Sequence, residues 1–150
     1  MKRSSRLSAA LHVLVHLAQS PEIRRTSEEM AGWWQTNPVV VRRTLGQLRE
    51  AKLVVSVTGP GGGWTLASDP AAISLAQIYS ALDEPVTGPV FEGDSPSCLV
   101  AAAIDSLLAD TKREIELQLL ARLEGISLAD LVSDAGIASY HADKEFRHDV

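Results

Sequence analysis

Cysteine is scarce in this chain of 150 residues, which contains only Cys98. One thiol cannot form a disulfide within the chain, and the metal-binding patterns that need several cysteines are absent. A domain of this length buries roughly 70% of the surface of its unfolded chain, so it needs neither a disulfide nor a metal for stability. We therefore expect an ordinary globular protein with no metal and no cofactor.

Long apolar runs are also missing, because no stretch approaches the roughly 18 residues that a membrane-spanning helix needs. Residues 1–20 are basic and then apolar, as in a signal peptide. However, His12, His16 and Gln19 interrupt this segment at helical spacing, and no A-x-A-like cleavage site follows. We expect an amphipathic helix in a cytoplasmic protein without a membrane partner. The two histidines lack an evident third metal ligand.

The chain lacks the usual nucleotide-binding motifs, although residues 58–67 read TGPGGGWTLA. A Walker loop ends in Gly-Lys followed by Ser or Thr, and no Gly-Lys occurs in the chain. The dinucleotide pattern G-x-G-x-x-G fails because Trp64 stands where its third glycine belongs. The glycines instead favour a tight turn that needs positive φ. No motif suggests a catalytic grouping, so we expect no enzyme.

Charge is unevenly distributed along the chain, whose formal net charge is −5. Residues 1–68 hold nine Lys/Arg and four Asp/Glu, whereas residues 69–150 hold five and fifteen. The N-terminal part is therefore basic and the remainder acidic. This asymmetry indicates an anionic partner for the N-terminal part only.

Hydrophobic periodicity and capping residues predict three helices followed by a hairpin. The helices cover about residues 4–19, 27–34 and 38–51. The third has a typical start, since Asn37 is a cap residue and Pro38 fits the first helical position. A β-branched strand at 53–57, the glycine-rich turn and a short returning strand complete the hairpin. This order is that of a winged helix-turn-helix, in a fold that is mainly α with a small β-hairpin.

A helix from Ser74 to about Leu82 follows the hairpin, and a long helical pattern covers about 97–124. At 1.5 Å per residue the long helix would span about 40 Å, more than one small core could cover. Its apolar stripe comprises Ile104, Leu108, Thr111, Ile115, Leu119 and Leu123. A last short helix begins at Ser127. We therefore expect part of the long helix to be exposed on a single chain.

In a winged helix-turn-helix, the helix after the tight turn enters the major groove of DNA by its N-terminal half. Arginine matches guanine edges and phosphates, and valine packs on thymine methyl groups. The residues expected at bases or nearby phosphates are Asn37, Val39, Val40, Arg42 and Arg43. Candidate phosphate contacts are Lys2, Arg3, Arg6, Ser27 and Lys52, and in the wing Thr58, Gly59, Gly61 and Gly62. An arginine pair on a helix is more often a plain solvated face, so its place in this motif decides the interpretation.

Residues 26–82, and most specifically GPGGGW-T-LA after the short strand, resemble the Rrf2 family of bacterial transcription regulators, the IscR/NsrR-like repressors. This resemblance implies a homodimer on a palindromic operator, with the long helix pairing two subunits. It implies a division into a DNA-binding domain (1–82), a loop (83–97), a dimerisation helix with a short following helix (98–135) and a polar tail (136–150). Its implied dimer contacts are Ile104, Leu108, Ile115, Leu119 and Leu123.

The chain departs from the family pattern at three places. Several members hold an iron–sulfur cluster through three cysteines before the long helix, where this chain has only Cys98. Thr58 replaces the basic residue that often precedes the wing glycines, and Lys52 replaces the glycine usual after the recognition helix. The resemblance therefore implies a member without a three-cysteine cluster, and a winged-helix module that binds protein instead of DNA is the alternative.

Two further features allow a structural and a functional interpretation. Cys98 is either a small buried hydrophobe or, because it lies at a helix N-terminus that lowers the pKa of its thiol, a sensor of an oxidant or electrophile. The three tryptophans are either a stacking platform for single strands or structural. We expect Trp33 or Trp34 in the core and Trp64 holding the wing to the domain. The effector itself is not identified by the sequence.

Overall fold

The computed structural model describes residues 6–87 and 98–134. Its elements are α1 (Arg6–Gln19), α2 (Ser27–Trp34), α3 (Pro38–Glu50), β1 (Val54–Val57), β2 (Gly63–Leu66), a 3-10 turn (Pro70–Ala72), α4 (Leu75–Leu82), α5 (Leu99–Glu124) and α6 (Leu128–Asp134). The predicted fold class, mainly helical with a small winged hairpin, is confirmed. Within the described ranges no helix is long and apolar enough to cross a membrane. Lys2, Arg3, much of the 83–97 loop and the polar tail lie outside these ranges.

The helix-turn-helix begins at two side-chain caps. Thr26 closes a capping box at α2, because Glu29 N–H donates to Thr26 Oγ1 over 3.2 Å and Thr26 N–H to Glu29 Oε2 over 2.7 Å. Asn37 Oδ1 accepts from Val39 N–H at 2.8 Å, which caps α3. Between the helices, Gln35 takes the left-handed conformation with φ 53°. These local bonds fix where each helix begins and where α2 ends.

The end of α3 explains how Lys52 replaces the expected glycine. Lys52 lies in the left-handed region with φ 62°. Its N–H donates to Arg49 O at 2.9 Å, and Leu53 N–H donates to Leu48 O at 2.9 Å. This pair of bonds is a Schellman motif, and buried Leu53 is its hydrophobic residue. The helix therefore ends as it would with glycine, although Lys52 has to adopt the left-handed conformation that is costly for a residue with a side chain.

The wing is a two-stranded antiparallel hairpin in which Val54 pairs with Leu66 and Val57 with Gly63. Gly62 N–H donates to Gly59 O at 2.9 Å, so residues 59–62 form a β-turn. Pro60 and then Gly61, whose φ is 70°, occupy its central positions as in a type II turn. A Cβ on Gly62 would lie 2.3 Å from Val57 O. Backbone geometry therefore accounts for the glycines, as the sequence indicates.

The core lies among α1, α3, α4 and the base of the hairpin, and it also includes α6. Leu128, at the start of α6, is fully buried in the same cluster as Leu14 and Leu45. Ser127 caps α6 as predicted, and Leu128 N–H donates to Ile73 O at 2.8 Å. The hydrophobic core around the helix-turn-helix therefore also includes a residue from beyond position 82, because the chain returns to this core after α5.

Helix α5 has no buried residue along its 26 positions. The stripe residues Ile104, Leu108 and Ile115 are exposed, as the sequence predicts for one chain. Leu119 is half-buried, and Leu123 packs against the core of its own chain. Leu123 is therefore partly covered within its own chain, and its contact with a second subunit stays a prediction. The N-terminal two thirds of α5 thus carry the uncovered apolar surface.

Candidate nucleic-acid interface

The outward face of α3 is formed by the residues that its sequence places there. Val41, Thr44, Leu45 and Leu48 are buried beneath the helix. On the other side, Val39 and Val40 are 62% and 43% exposed, and Arg42 and Arg43 are exposed. Asn37 begins this face, with its side-chain carbonyl engaged in the cap. Apolar and cationic groups therefore stand together at the N-terminal half of the helix.

Arg42 is held by an acidic residue of the preceding helix. Its Nη2 donates to Glu28 Oε1 at 2.9 Å, and both side chains are more than half exposed. An exposed pair of this kind contributes little to stability, typically less than about 1 kcal/mol. The pair therefore orients Arg42 while leaving it able to exchange Glu28 for another acceptor. Arg43 is exposed on the same face.

The structure corrects the prediction for Ser27. Its side chain is 5% exposed, and its Oγ accepts a hydrogen bond from Trp64 Nε1 at 3.1 Å. The hydroxyl is thus engaged inside the protein and is not an exposed phosphate ligand. Trp64 is half-buried and packs against the core, which confirms that it holds the wing to the domain.

A groove of about 400 Å³ runs between the wing and the N-terminal turn of α2. Its lining residues are Thr26, Ser27, Glu28, Arg42, Val57, Thr58, Gly59, Gly62, Gly63 and Trp64. Thr58 and Gly59 are exposed at its wing side. The groove therefore brings the predicted wing residues beside Arg42 of the recognition helix.

Arg49 joins α3 to the hairpin. Its Nη1 donates to Ser56 Oγ at 3.0 Å, and its guanidinium lies 5.5 Å from the centre of the Trp64 ring. Such a cation–π contact at an exposed site contributes about 0.5–1 kcal/mol. The wing and the recognition helix are therefore connected by side chains, so they form one surface.

The remaining predicted phosphate contacts lie on different parts of the surface. Lys52 is exposed where α3 ends and the hairpin begins. Arg6 is half-buried at the start of α1, with its Nε 3.8 Å from Glu84 Oε2. Lys52 therefore lies at the junction of α3 and the hairpin, whereas Arg6 lies beside a carboxylate that follows α4.

Sequence reasoning missed Arg24 and Arg25, which precede the cap residue of α2. The backbone of Arg25 pairs with Trp64 on the outer edge of β2, through bonds of 3.1 and 2.8 Å. Arg24 Nη1 lies 3.4 Å from Gly61 O at the wing tip. The only sequence signal was the Arg-Arg pair itself, because this pairing joins residues nearly forty positions apart.

Two features of α5 lie apart from the α3 face: Cys98 at the start of the helix, and a pair between Tyr79 and Glu116 farther along it. Cys98 is exposed at the N-terminus of α5, and backbone N–H groups of Ala101 and Val100 lower the pKa of its thiol from its ordinary value. Tyr79 O–H donates to Glu116 Oε2 at 2.5 Å and thereby lowers the pKa of that carboxyl. Exposure of Cys98 contradicts the alternative in which it is buried within its own chain.

The histidines and tryptophans near the N-terminus make contacts with one another and with the core. His12 Nε2 and His16 Nε2 are 3.1 Å apart, and the described residues contain no group of three potential metal ligands. Trp34 packs against the core, whereas Trp33 is 36% exposed and stacks on His16 at 4.6 Å. A row of stacking aromatics for single strands is not formed, because Trp64 is engaged with Ser27.

The iron–sulfur cluster that the sequence resemblance raises can be tested against the ligands available in this chain. An iron–sulfur cluster needs several thiolate ligands, and the chain has one cysteine. The donor set therefore does not fit a three-cysteine cluster within one chain.

Comparison with known proteins agrees with this geometry. The family model described as "Iron-dependent Transcriptional regulator", Rrf2, matches residues 3–134. The HTH-type regulator YwnA of Bacillus subtilis (strain 168) is 34% identical over 87% of this chain and 96% of its own. The regulator IscR of Aliivibrio salmonicida (strain LFI1238) is 30% identical over 85% of this chain and 73% of its own.

A solved structure, that of T. potens IscR, superposes with a TM-score of 0.61 and 26% identity. The superposition covers 90% of this chain and 88% of the T. potens IscR chain. These relatives carry the names of transcription regulators and not of enzymes. Taken with the winged helix-turn-helix and the basic, partly apolar face of α3, the match over most of the chain shows that it belongs to the Rrf2 family of DNA-binding transcriptional regulators.

Proposed function

We propose that this regulator is a dimeric repressor that reads a palindromic operator through α3 in the major groove. The observation that carries this proposal is the outward face of α3, on which exposed valines and arginines stand together. The wing, residues 58–64, lies beside that face and meets the DNA backbone or the minor groove. The proposed wing contacts are Thr58, Gly59, Gly61 and Gly62.

The chemistry of the α3 face suits base recognition. Arg42 and Arg43 can each donate two hydrogen bonds to a guanine edge, and Val39 and Val40 can pack on thymine methyl groups. The cap bond engages the carbonyl of Asn37, which leaves its amide N–H groups as donors. Lys52 adds a phosphate contact that positions the helix without reading sequence.

A dimer follows from the uncovered part of α5. Val100, Ile104 and Ile115 are 66%, 45% and 48% exposed, more apolar surface than a single helix usually leaves in water. A second copy packed on this face would cover it, and Leu108 and Leu119 extend the same surface. Two subunits related by a two-fold axis read two half-sites, which makes the operator palindromic.

Residues 1–82 then form the DNA-binding domain, 83–97 the connecting loop, and 98–135 the dimerisation helix with its following helix. Residues 136–150 are a polar tail. Within this division, α6 packs back on the DNA-binding core through Leu128. Movement of α5 would therefore be transmitted to the core through its C-terminal end, where Leu123 packs and α6 follows.

We place the effector site at Cys98, with an oxidant or electrophile as the effector. An exposed thiol of lowered pKa is more often a thiolate, which is the reactive form. With a peroxide, the sulfur attacks one oxygen, the O–O bond breaks, and sulfenic acid and a hydroxide or alkoxide result. The modified group would sit where α5 begins, at the end of the proposed dimer surface.

The test is binding to a duplex from upstream of the protein's own gene, followed by fluorescence anisotropy as salt is raised. We expect tighter binding than to an unrelated duplex of equal length, and a steep loss of affinity with salt because phosphate contacts release counterions. Equal, weak and salt-independent binding to both duplexes would favour a protein-interaction module instead. Mapping genomic binding sites with and without oxidant tests repression and the effector.

A further inference from the structure

The wing carries no charge of its own. Residues 53–68, which contain both strands and the turn, include no Lys, Arg, Asp or Glu. Nevertheless, the tip is exposed at Gly59, Pro60 and Gly61, as a backbone-contacting wing requires. Any cation at this tip must therefore come from elsewhere in the fold.

Arg24, in the loop between α1 and α2, reaches this tip. Its Nη1 donates to Gly61 O at 3.4 Å, and its side chain is exposed to solvent. The bond is long and accessible to water, so the exchange of this acceptor for another costs little. Arg24 thus places a permanent positive charge at the apex of the uncharged hairpin.

Backbone hydrogen bonds hold the α1–α2 loop at the hairpin, and they thereby fix the position of Arg24. Arg25 N–H donates to Trp64 O at 3.1 Å, and Trp64 N–H donates to Arg25 O at 2.8 Å. A Cβ on Gly63 would lie 2.8 Å from Arg25 O, so glycine is needed for this approach. The segment thus forms a single isolated β-bridge on the outer edge of β2.

The two neighbouring arginines have different surroundings. The guanidinium of Arg25 lies 5.4 Å from the centre of the Trp33 ring, on a contact with α2. That of Arg24 lies at the wing tip instead. Of the pair, Arg24 is therefore the cation available to a ligand at the wing.

We propose that Arg24 supplies the missing charge of the wing and binds a DNA backbone phosphate beside the tip. The inference rests on the proposed DNA-binding function. The guanidinium matches phosphate oxygens through its fork of donors, and a phosphate contact positions the protein without reading sequence. The wing and the α1–α2 loop therefore act as one contact, built from two distant parts of the chain.

The experiment measures Arg24→Ala against wild type on two duplexes, one from upstream of the protein's own gene and one unrelated. Affinity for both should fall by a similar factor, roughly tenfold near 0.1 M salt. The slope of log affinity against log salt should fall by about 2 per dimer, one phosphate for each subunit. Arg24→Lys should keep the slope, because the charge remains.

Two further variants make the test specific. The double variant Arg24→Ala/Thr58→Arg should regain the affinity and the salt slope of wild type, because an arginine of the hairpin itself then supplies the charge. Arg113→Ala removes an equal charge from α5, where the arginine is 74% exposed, and should leave binding unchanged. Thermal unfolding of Arg24→Ala should match wild type, since an exposed bond of 3.4 Å is lost.

Unchanged affinity and slope in Arg24→Ala, with wild type binding DNA in a salt-dependent way, would overturn this inference alone. A loss confined to the upstream duplex would overturn the phosphate assignment in favour of a base contact. If wild type itself showed no salt-dependent binding to either duplex, the proposed function would fail, and the phosphate contact of Arg24 would be refuted with it.

Discussion

Trp64 of the wing donates its indole N–H to the buried Oγ of Ser27 at 3.1 Å, which joins β2 to the first turn of α2. The same tryptophan ring lies under Arg49 of α3. One side chain thus fixes the hairpin to both helices of the DNA-binding motif. The predictions below begin from this contact.

Trp64→Phe should lower the free energy of unfolding by roughly 1–3 kcal/mol, because the Ser27 hydroxyl is left buried without its donor. Ser27→Ala in the same chain should recover part of this loss, since the unsatisfied group is then gone. Urea unfolding of the single and double variants gives the coupling. Trp33→Phe is the control, because that side chain is 36% exposed. Strict additivity would show that the hydrogen bond is not formed.

Arg42→Ala and Arg43→Ala should each weaken operator binding, by roughly 1–3 kcal/mol where the arginine holds a guanine edge. A base contact should also relax the preference at one base pair, whereas a phosphate contact should weaken all sequences alike. Titration against an operator and its single-base variants separates the two cases. Arg113→Ala is the charge control, and unchanged affinity in both α3 variants would refute the assignment of this face.

Lys52→Gly should raise the free energy of unfolding by roughly 0.5–1 kcal/mol, because glycine removes left-handed strain at some cost in unfolded-chain entropy. It should also weaken DNA binding, since the proposed phosphate contact is lost. Stability and affinity would thus move in opposite directions. Glu50→Gly, at a right-handed helical position of the same helix end, should destabilise instead. A destabilised Lys52→Gly variant would contradict the Schellman geometry.

Ile104→Glu and Ile115→Glu should each convert the dimer to monomers, because each places two buried carboxylates in the proposed interface. We expect the dimer dissociation constant to rise by roughly 100-fold or more. Sedimentation equilibrium measures it, with Arg113→Ala as the control on the same helix. Leu123→Ala should lower the stability of the subunit as well, since Leu123 packs on its own core. Intact dimers of both glutamate variants would place the interface elsewhere.

Alkylation of Cys98 should follow a titration whose midpoint lies below that of the unfolded chain, because N–H groups at the start of α5 lower the pKa of its thiol. The rate should therefore be higher at neutral pH than for an ordinary thiol. Iodoacetamide rates measured across pH give the midpoint, and unfolding in urea should move it upward as the helix is lost. A midpoint in the folded protein at or above that of the unfolded chain would contradict thiolate stabilisation. A Cys98→Ser variant that responds to oxidant as wild type does would exclude sensing.

Local chemistry made much of this fold predictable. Asn37 followed by Pro38 marked the start of the recognition helix, and Ser127 marked that of α6, because caps act over three residues. Gly59, Gly61 and Gly63 indicated a tight hairpin, since their positive φ angles are costly for other residues. The outward positions of Arg42 and Arg43 followed from helical periodicity about the buried positions of α3.

Contacts between distant segments were decided only by the tertiary structure. The sequence predicts Ser27 as a surface hydroxyl, but the hydrogen bond from Trp64 engages it within the protein. The sequence gives Arg24 only as a loop residue, and the pairing of Arg25 with Trp64 places it at the wing tip. Likewise, Leu123 and Leu128 belong to a helical pattern in sequence but to the core in space. Periodicity determines which face a residue occupies, whereas packing of the whole chain determines what that face meets.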